Sequence, residues 1–490
     1  FLLDIELSEK NYPNVSGMKL DVKGKASASS SSNLIPSAVH EVFPITRYPA
    51  NLSVNGRHTV KDIAKKSFTH VADIDALELH FAKEVIKLYV EPFNKLTEKE
   101  IILGNEFLAA MNKDSSNGYG CKLKKEEYID FENGRMTDNF SIEINDLEQR
   151  IVSGEVILED LLWKETLKDE IRNEEKVDCP RSFRISRIHI QYLTKKYFGN
   201  LVSHIVKNRD FNEIMIGVNP YKEWDKLYHT LSQECFAVWG GDIKKFDGGM
   251  PSPVQFALHD VVMEFVEGSE ADKKIASFVL LNMINCPVVV NDDVWITTHS
   301  MPSGSFLTAI FNSLINRCFT SMWYYREMKR NKCHPSPFSF KNDIVDFVYG
   351  DDKLNGVKNE AQASFLNAIT MRDFFKSIGM DLTTSDKKEI IKPFDDMKDV
   401  TFLKRHFRFM PKLKRIMCPL EIETLYSGLS WLDKTKEEGC VIQDKIHSFQ
   451  REMFLHLPAV RSEALEKLES RCLQEEIKFV IIRFIFNIFV

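Results

Sequence analysis

The chain has 490 residues, 43% hydrophobic and 28% charged, with a formal net charge of −6. This is ordinary globular composition at a length that suits two to four structural units, and the net charge does not advertise nucleic-acid binding. The 9 cysteines are scattered with no C-x-x-C pair, which argues against a zinc module or a small disulfide scaffold and predicts free thiols in a reducing compartment.

The first residue is Phe1, so the chain reads as a piece of a longer product. Residues 27–32, five serines and one alanine, have linker composition. From Ile74 to Val90 the apolar residues fall at helical spacing. A loop rich in Ser, Asn and Gly follows at Asp114–Gly120, Lys164–Lys176 is densely charged, and Ile185–Val206 mixes helix and strand patterns. Phe236–Ile243 reads as a strand, and Pro251 opens a helix that runs to about Val266. Val288–Val290 and Val294–Thr297 form a predicted hairpin turned at Asn291-Asp292-Asp293. Ser305–Arg330 is a long predicted helix. Ile344–Tyr349 and Lys353–Val357 form a second hairpin with Gly350-Asp351-Asp352 at its tip. Ala361–Ile378 is read as one helix and the stretch beyond Phe407 as mainly helical. This interleaving predicts the α+β class. No run reaches the roughly 20 apolar residues of a membrane span. The apolar run Ile477–Val490 is interrupted by Lys478 and Arg483, and is expected to be a buried or surface-docked helix or strand.

Three elements carry chemistry. Asp242 and Asp247 are five residues apart, which puts them on opposite faces of a strand. If both serve one site, the strand must end and the chain turn between them. Asp351 and Asp352 follow apolar Val345, Phe347 and Val348 at a hairpin tip. The plain reading is a type I′ turn; the functional one is a metal site, because Mg²⁺ prefers carboxylates plus substrate phosphates. Ser303-Gly304 precedes a helix on which Thr308, Asn312 and Asn316 share one face. That face is either solvated or, since Ile310, Phe311, Leu314 and Ile315 make the helix apolar, in need of buried partners.

In this order, the acid pair, the Ser-Gly helix and the Gly-Asp-Asp hairpin resemble the RNA-dependent RNA polymerases of picorna-like positive-strand RNA viruses (order Picornavirales), over about Leu34 to Leu455. The resemblance implies that Asp242 and Asp351 hold two metal ions, Mg²⁺ or Mn²⁺, with Asp352 assisting. It implies that Asp247 and Asn312, with Thr308, read the ribose 2′-hydroxyl, and that Ser303 and Gly304 lie on a loop that helps close the site. Lys168, Arg172, Lys176 and Arg181 are similar to the basic segment that neutralises the nucleotide triphosphate, the alternative being a salt-bridged charged loop. Pro180 stands where a basic residue is common, which puts Arg184 forward as a substitute. Ser115, Ser116 and Gly118 resemble the motif that admits the template, with Gly120 where Pro is usual. Ile216–Pro220 followed by Trp224 resembles the segment before the first acid. Lys387 resembles the lysine that protonates pyrophosphate, with Lys388 adjacent. Phe402, Leu403, Lys404 and Arg405 match the primer-grip hairpin.

The fold so implied is a closed right hand. Its N-terminal segment and linker would be 1–32, its fingers 33–199, and its palm (an RRM-like antiparallel sheet with helices) 200–283 and 302–406. A fingers hairpin would be inserted at 284–301, and 407–490 would be a mostly helical thumb. The implied activity is RNA-directed RNA synthesis for genome replication. Its partners would be RNA template and primer, nucleoside triphosphates, a small protein primer and other viral replication proteins, in the host cytoplasm at membrane-associated replication complexes. A reverse transcriptase is the first rival, disfavoured because Asp247 and Asn312 offer hydrogen bonds where a bulky residue would block the 2′-hydroxyl. An inactive RNA-binding scaffold is the second.

Overall fold

The structure, a computed structural model, describes residues 14–19, 31–52, 60, 62–63, 73–290, 293–297 and 299–479. The serine run up to Ser30, Asn291 and Asp292 of the expected turn, and the C-terminal run beyond Phe479 lie outside the described residues.

Along the chain, β1 (Asn14–Lys19), β2 (Leu34–Pro36) and β3 (Arg47–Pro49) come first, then the short pair β4 (Ile129–Asp130) and β5 (Arg135–Met136). β6 (Trp163–Leu167), β7 (Ile171–Asn173) and β8 (Ser182–Ser186) carry the charged segment. β9 (Ala237–Lys244), the hairpin β10 (Pro287–Val290) and β11 (Asp293–Ile296), and the hairpin β12 (Ile344–Tyr349) and β13 (Asp352–Val357) fall where period-2 patterning places them. β14 (Asp381–Thr383), the pairs β15 (Thr401–Phe402) with β16 (Arg405–His406) and β17 (Arg408–Met410) with β18 (Arg415–Met417), and β19 (Trp431–Asp433) complete the set among the described residues.

A four-stranded antiparallel sheet, β12-β13-β9-β14, is the centre of the molecule. Strand alternation sends Trp239, Ile243, Val348 and Val357 to one face and Val238, Val345, Phe347 and Leu354 to the other, and each set enters a different apolar cluster. The first cluster surrounds the helix Thr308–Arg330, which packs on the sheet and on the helix Ala76–Lys87 and is buried nearly all round, polar residues such as Asn316 and Arg317 included. The latter helix starts where the Asp75 side chain accepts from the Leu77 and Glu78 amides. In a five-stranded sheet, β1-β11-β10-β6-β8, the paired strands β6 and β8 flank the basic segment. Residues near the N-terminus join distant parts: β2 pairs with β19, and β3 with β7.

Two stretches differ from the sequence expectation. Ala361–Ile378 is two helices, Glu360–Ala363 and Ala368–Ser377, because Asn367 leaves helical geometry and caps the Ile369 and Thr370 amides. Beyond Phe407 the chain first makes the β17–β18 hairpin before the helices Ile422–Ser430, Glu438–Met453 and Pro458–Gln474, which share their own apolar cluster. No helix among the described residues is long and apolar enough to cross a membrane. All 9 cysteines are free.

Candidate active site

β9 ends at Lys244, Lys245 takes a left-handed φ of 50°, and Asp247–Gly249 forms a turn of 3₁₀ helix. The chain therefore turns between Asp242 and Asp247, as a shared site requires. Asp352 on β13 is paired directly with Asp242 on β9, and both side chains share a sheet face with Val238 and Leu354. Asp351 sits at the hairpin turn, where Gly350 supplies the left-handed φ of 63°. The turn is pinned to the long helix twice: the Gly350 amide donates to Ser313 Oγ at 2.9 Å, and its carbonyl accepts from Asn316 Nδ2 at 2.9 Å.

Crowding of these acids has an electrostatic cost. Burial, then repulsion by Asp242, lifts Asp351 to about 6; burial, then Asp351 and Asp242, lifts Asp352 to about 7. Asp351 keeps one face open to solvent while protein crowds its other sides. Lys387 Nζ lies 3.5 Å from Asp242 Oδ2, on a turn where Lys387 has φ 66°. Lys388 instead pairs with Asp386 at 2.6 Å, so of the two adjacent lysines Lys387 is the one that faces the acids. Among the described residues no three His, Cys, Asp or Glu side chains converge tightly enough to hold an ion by themselves. The donors are all hard oxygens, and that suits Mg²⁺ or Mn²⁺, which are bound by one or two carboxylates together with substrate phosphates and water.

Asp247 faces the Ser-Gly helix. Its Oδ1 accepts from Asn312 Nδ2 at 2.6 Å and its Oδ2 from Ser303 Oγ. Asn312 Oδ1 is buried and accepts no hydrogen bond. A Cβ on Gly304 would meet Arg184 O at 2.2 Å, so this loop is packed on β8 and only glycine fits. The structure does not bring Thr308 to Asp247: its hydroxyl donates back to the carbonyls of Pro302 and Ser305 at the helix start, at 3.0 and 2.9 Å.

In the basic segment one carboxylate gathers three cations. Glu170 lies 3.7 Å from Lys168, 3.2 Å from Arg172 and 2.6 Å from Arg181 Nε. Burial pushes Glu170 up, but Arg181, Lys168 and Arg172 outweigh it and hold it below the usual range. Arg181 is held above its usual range first by Glu170, with smaller contributions from the charges of Asp351 and Asp247. Lys176 is exposed and pairs with Glu175. Arg184 does not stand in for a phosphate ligand: it is buried, with Nε 3.0 Å from Glu165 and Nη1 2.8 Å from Ser300 Oγ. β6 and β8 set Glu165 directly opposite it, so its charge is already spent.

Ser115 and Ser116 are exposed, and the Gly118 amide donates to Ser116 Oγ at 3.2 Å. At the β15–β16 turn Leu403 and Lys404 both take left-handed φ, 53° and 59°, with no glycine to relieve the strain. Phe402 is buried against Trp224, Lys404 lies close enough to lower Asp352, and Arg405 turns away into a two-bond pair with Glu452 at 2.9 and 2.8 Å. Tyr221 donates to the same carboxylate at 2.5 Å.

The sequence model of the viral RNA-dependent RNA polymerase family matches residues 44–484. The chain belongs to this family. That family is described by RNA-directed RNA synthesis in viruses. The chain is 26% identical over 432 residues to the replicase polyprotein of Drosophila C virus, covering 81% of this chain and 24% of that one. It is 28% identical over 409 residues to the replicase polyprotein of acute bee paralysis virus, covering 77% and 21%. It thus spans about a quarter of the length of these curated relatives. In fold it is similar to the Sicinivirus 3Dpol RNA-dependent RNA polymerase, with a TM-score of 0.80, 21% identity and 96% of each chain covered.

Beneath the acids, sequence reasoning marked only Asn316, on the helix face expected to need buried partners, and missed the rest of the layer. Ser313, Asn316 and Lys353 hold or underlie the turn, and Tyr221 and Glu452 anchor Arg405. One signal was available: Lys353 is a cation at an inward-facing position of an apolar hairpin.

Proposed function

We propose that this chain adds ribonucleotides to the 3′ end of an RNA primer on an RNA template, with Asp242, Asp351 and Asp352 as the acids at the reacting atoms. The observation that carries this reading is the direct pairing of Asp242 with Asp352, beside the Asp351 turn and with Lys387 3.5 Å from Asp242. The primer 3′ oxygen forms a bond to the α-phosphorus, the α–β phosphate bond breaks, and pyrophosphate leaves. Bound Mg²⁺ or Mn²⁺, held by Asp242 and Asp351 with Asp352 assisting, would lower the charge cost at the attacking and leaving oxygens. Arg181 and Lys168, with Arg172 and Lys176 behind them, draw the triphosphate over the acids, and Lys387 is placed to give its proton to the departing pyrophosphate. Asp247, Asn312 and Ser303 form the ribose test: the unfilled Asn312 Oδ1 is an acceptor for a 2′-hydroxyl. Thr308 and Gly304 act by shaping the loop. Ser115, Ser116 and Gly118 guide the template, and Lys404 meets the primer from a turn held by Phe402, Leu403 and Arg405.

In this reading 33–199 are the fingers, 200–283 and 302–406 the palm, 284–301 an inserted fingers hairpin and 407–490 the thumb. Besides template, primer and nucleotides, the partners are a small protein primer and other viral replication proteins, at membrane-associated complexes in the host cytoplasm. The test is incorporation of labelled ribonucleotides on a primed RNA template with Mg²⁺, beside Asp351→Asn. Template-dependent extension lost in the variant supports the reading. RNA binding without extension, in Mg²⁺ and in Mn²⁺, would establish the inactive scaffold instead.

A further inference from the structure

We infer that Lys353 is a positioning residue for the Gly350–Asp352 turn: its buried ammonium fixes which way the Asn316 amide points, and that amide holds the Gly350 carbonyl. The inference rests on the reading of Asp351 and Asp352 as catalytic acids.

Lys353 follows the acid pair on β13 and points to the opposite face from Asp352, into the core beneath the turn. Its side chain is fully buried. Nζ donates to Thr320 Oγ1 at 2.7 Å and to Asn316 Oδ1 at 3.1 Å. Asn316 Nδ2 donates to Gly350 O at 2.9 Å. One helical turn earlier, Ser313 Oγ accepts from the Gly350 amide. Both polar groups of Gly350 are thus held by the same helix.

An amide has one accepting end and one donating end of similar shape, and its neighbours decide which end goes where. Gly350 O can be held only by the donating end. An ammonium donates and never accepts, so Lys353 demands Oδ1 and leaves Nδ2 to face Gly350. Among the described residues Lys353 is the one donor that bonds Asn316 Oδ1, so without the cation the opposite orientation, which sets two oxygens against each other, is no longer opposed from that side.

The charge is not there simply to neutralise Asp346. That carboxylate accepts from Arg317 Nε at 3.1 Å, from Asn355 Nδ2 at 2.6 Å and lies 3.2 Å from Thr320 Oγ1. Lys353 stands off at 3.9 Å. Burying an ammonium costs free energy that a methionine of similar length would not. A lysine in this place therefore points to something the charge does, and its nearest partners are Asn316 and Thr320.

The test uses the full chain with Lys353→Met, Asn316→Ala and the double variant, read by hydrogen–deuterium exchange over residues 345–353 and by single-nucleotide incorporation. Lys353→Met is expected to speed exchange at the turn while the rest of the helix Thr308–Arg330 stays protected. It is expected to lower kcat roughly 10²-fold with KM for the nucleotide nearly unchanged, as displaced catalytic groups do. The double variant is expected to be no worse than Asn316→Ala alone. Unchanged exchange at the turn, or effects that multiply in the double variant, would overturn the inference. If Lys353→Met does not fold, Lys353→Arg, which like lysine donates and never accepts, must keep the turn better protected than Lys353→Gln, whose amide can present either end, and Asn316→Asp, which cannot donate to Gly350 O, must lose it; the reverse result overturns the inference. If the parent chain extends no RNA, the polymerase reading falls, while exchange at Gly350 still decides what Lys353 does.

Discussion

Asp242 and Asp352 are directly opposed across the antiparallel pair β9–β13, two carboxylates on one face of a sheet. Like charges so placed destabilise a strand pair, and burial with Asp351 and Asp242 nearby already lifts Asp352 to about 7. The fold keeps an unfavourable contact where a cation would relieve it. We expect Asp352→Asn to raise the stability of the metal-free chain by up to about 1 kcal/mol while lowering extension. Thermal melting with and without Mg²⁺ checks this: the variant should melt higher alone and gain less from the ion.

Ribose selection gives a second expectation. Asn312→Ala and Asp247→Ala should each cut the preference for a ribonucleotide over its 2′-deoxy analogue roughly tenfold, the worth of one hydrogen bond. Because Asn312 donates to Asp247, the double variant should fall short of the product of the two. Single-turnover incorporation of paired ribo- and deoxynucleotides measures the ratio.

Two glycines of the loop Asp114–Gly120 should behave differently. Gly120 has φ 75° with open space around its missing Cβ, so Gly120→Ala should cost about 1 kcal/mol in backbone strain alone. Gly118 has φ 81°, and a Cβ there would fall 2.2 Å from Ser186 O at the end of β8. Gly118→Ala should therefore cost clearly more than Gly120→Ala, read from urea midpoints.

The neighbours Lys404 and Arg405 should separate RNA binding from stability. Lys404→Ala is expected to weaken RNA binding and reduce its salt slope by about one, with melting unchanged. Arg405→Ala strands the buried Glu452 carboxylate and should cost about 3 kcal/mol. Adding Glu452→Gln to Arg405→Ala should recover part of that loss, since the stranded charge is then gone.

The acids were legible in the sequence because local pattern fixes them. Alternation along Ile344–Tyr349 sets the hairpin, Gly350 marks its turn, and the run from Phe236 to Ile243 delivers Asp242 to a strand end. What the sequence alone left undecided depended either on partners elsewhere in the chain or on the local path of the backbone. Arg184 looks like any basic residue until strand register puts Glu165 opposite it. Arg405 looks like an RNA contact until Glu452, 47 residues later, takes both its bonds. Lys387 and Lys388 are equivalent in sequence, and only the left-handed turn between them and Asp386 distinguishes their directions. Thr308 shares a helix face with Asn312, yet at the first position of the helix its hydroxyl is drawn to the preceding carbonyls.

The pairing of β2 with β19 sets a timetable for synthesis. Ser32 and Asn33 bond Asp169, and β3 pairs with β7, so one flank of this N-terminal stretch can settle early. Leu34–Pro36 must wait for Trp431–Asp433, roughly 400 residues downstream, which at ribosomal speed is roughly 20 to 80 seconds. The stretch is made long before its partner and is seated only after it. A nascent chain that already holds every acid of the site still lacks the joint between its basic segment and its C-terminal helices until Trp431–Asp433 has been made.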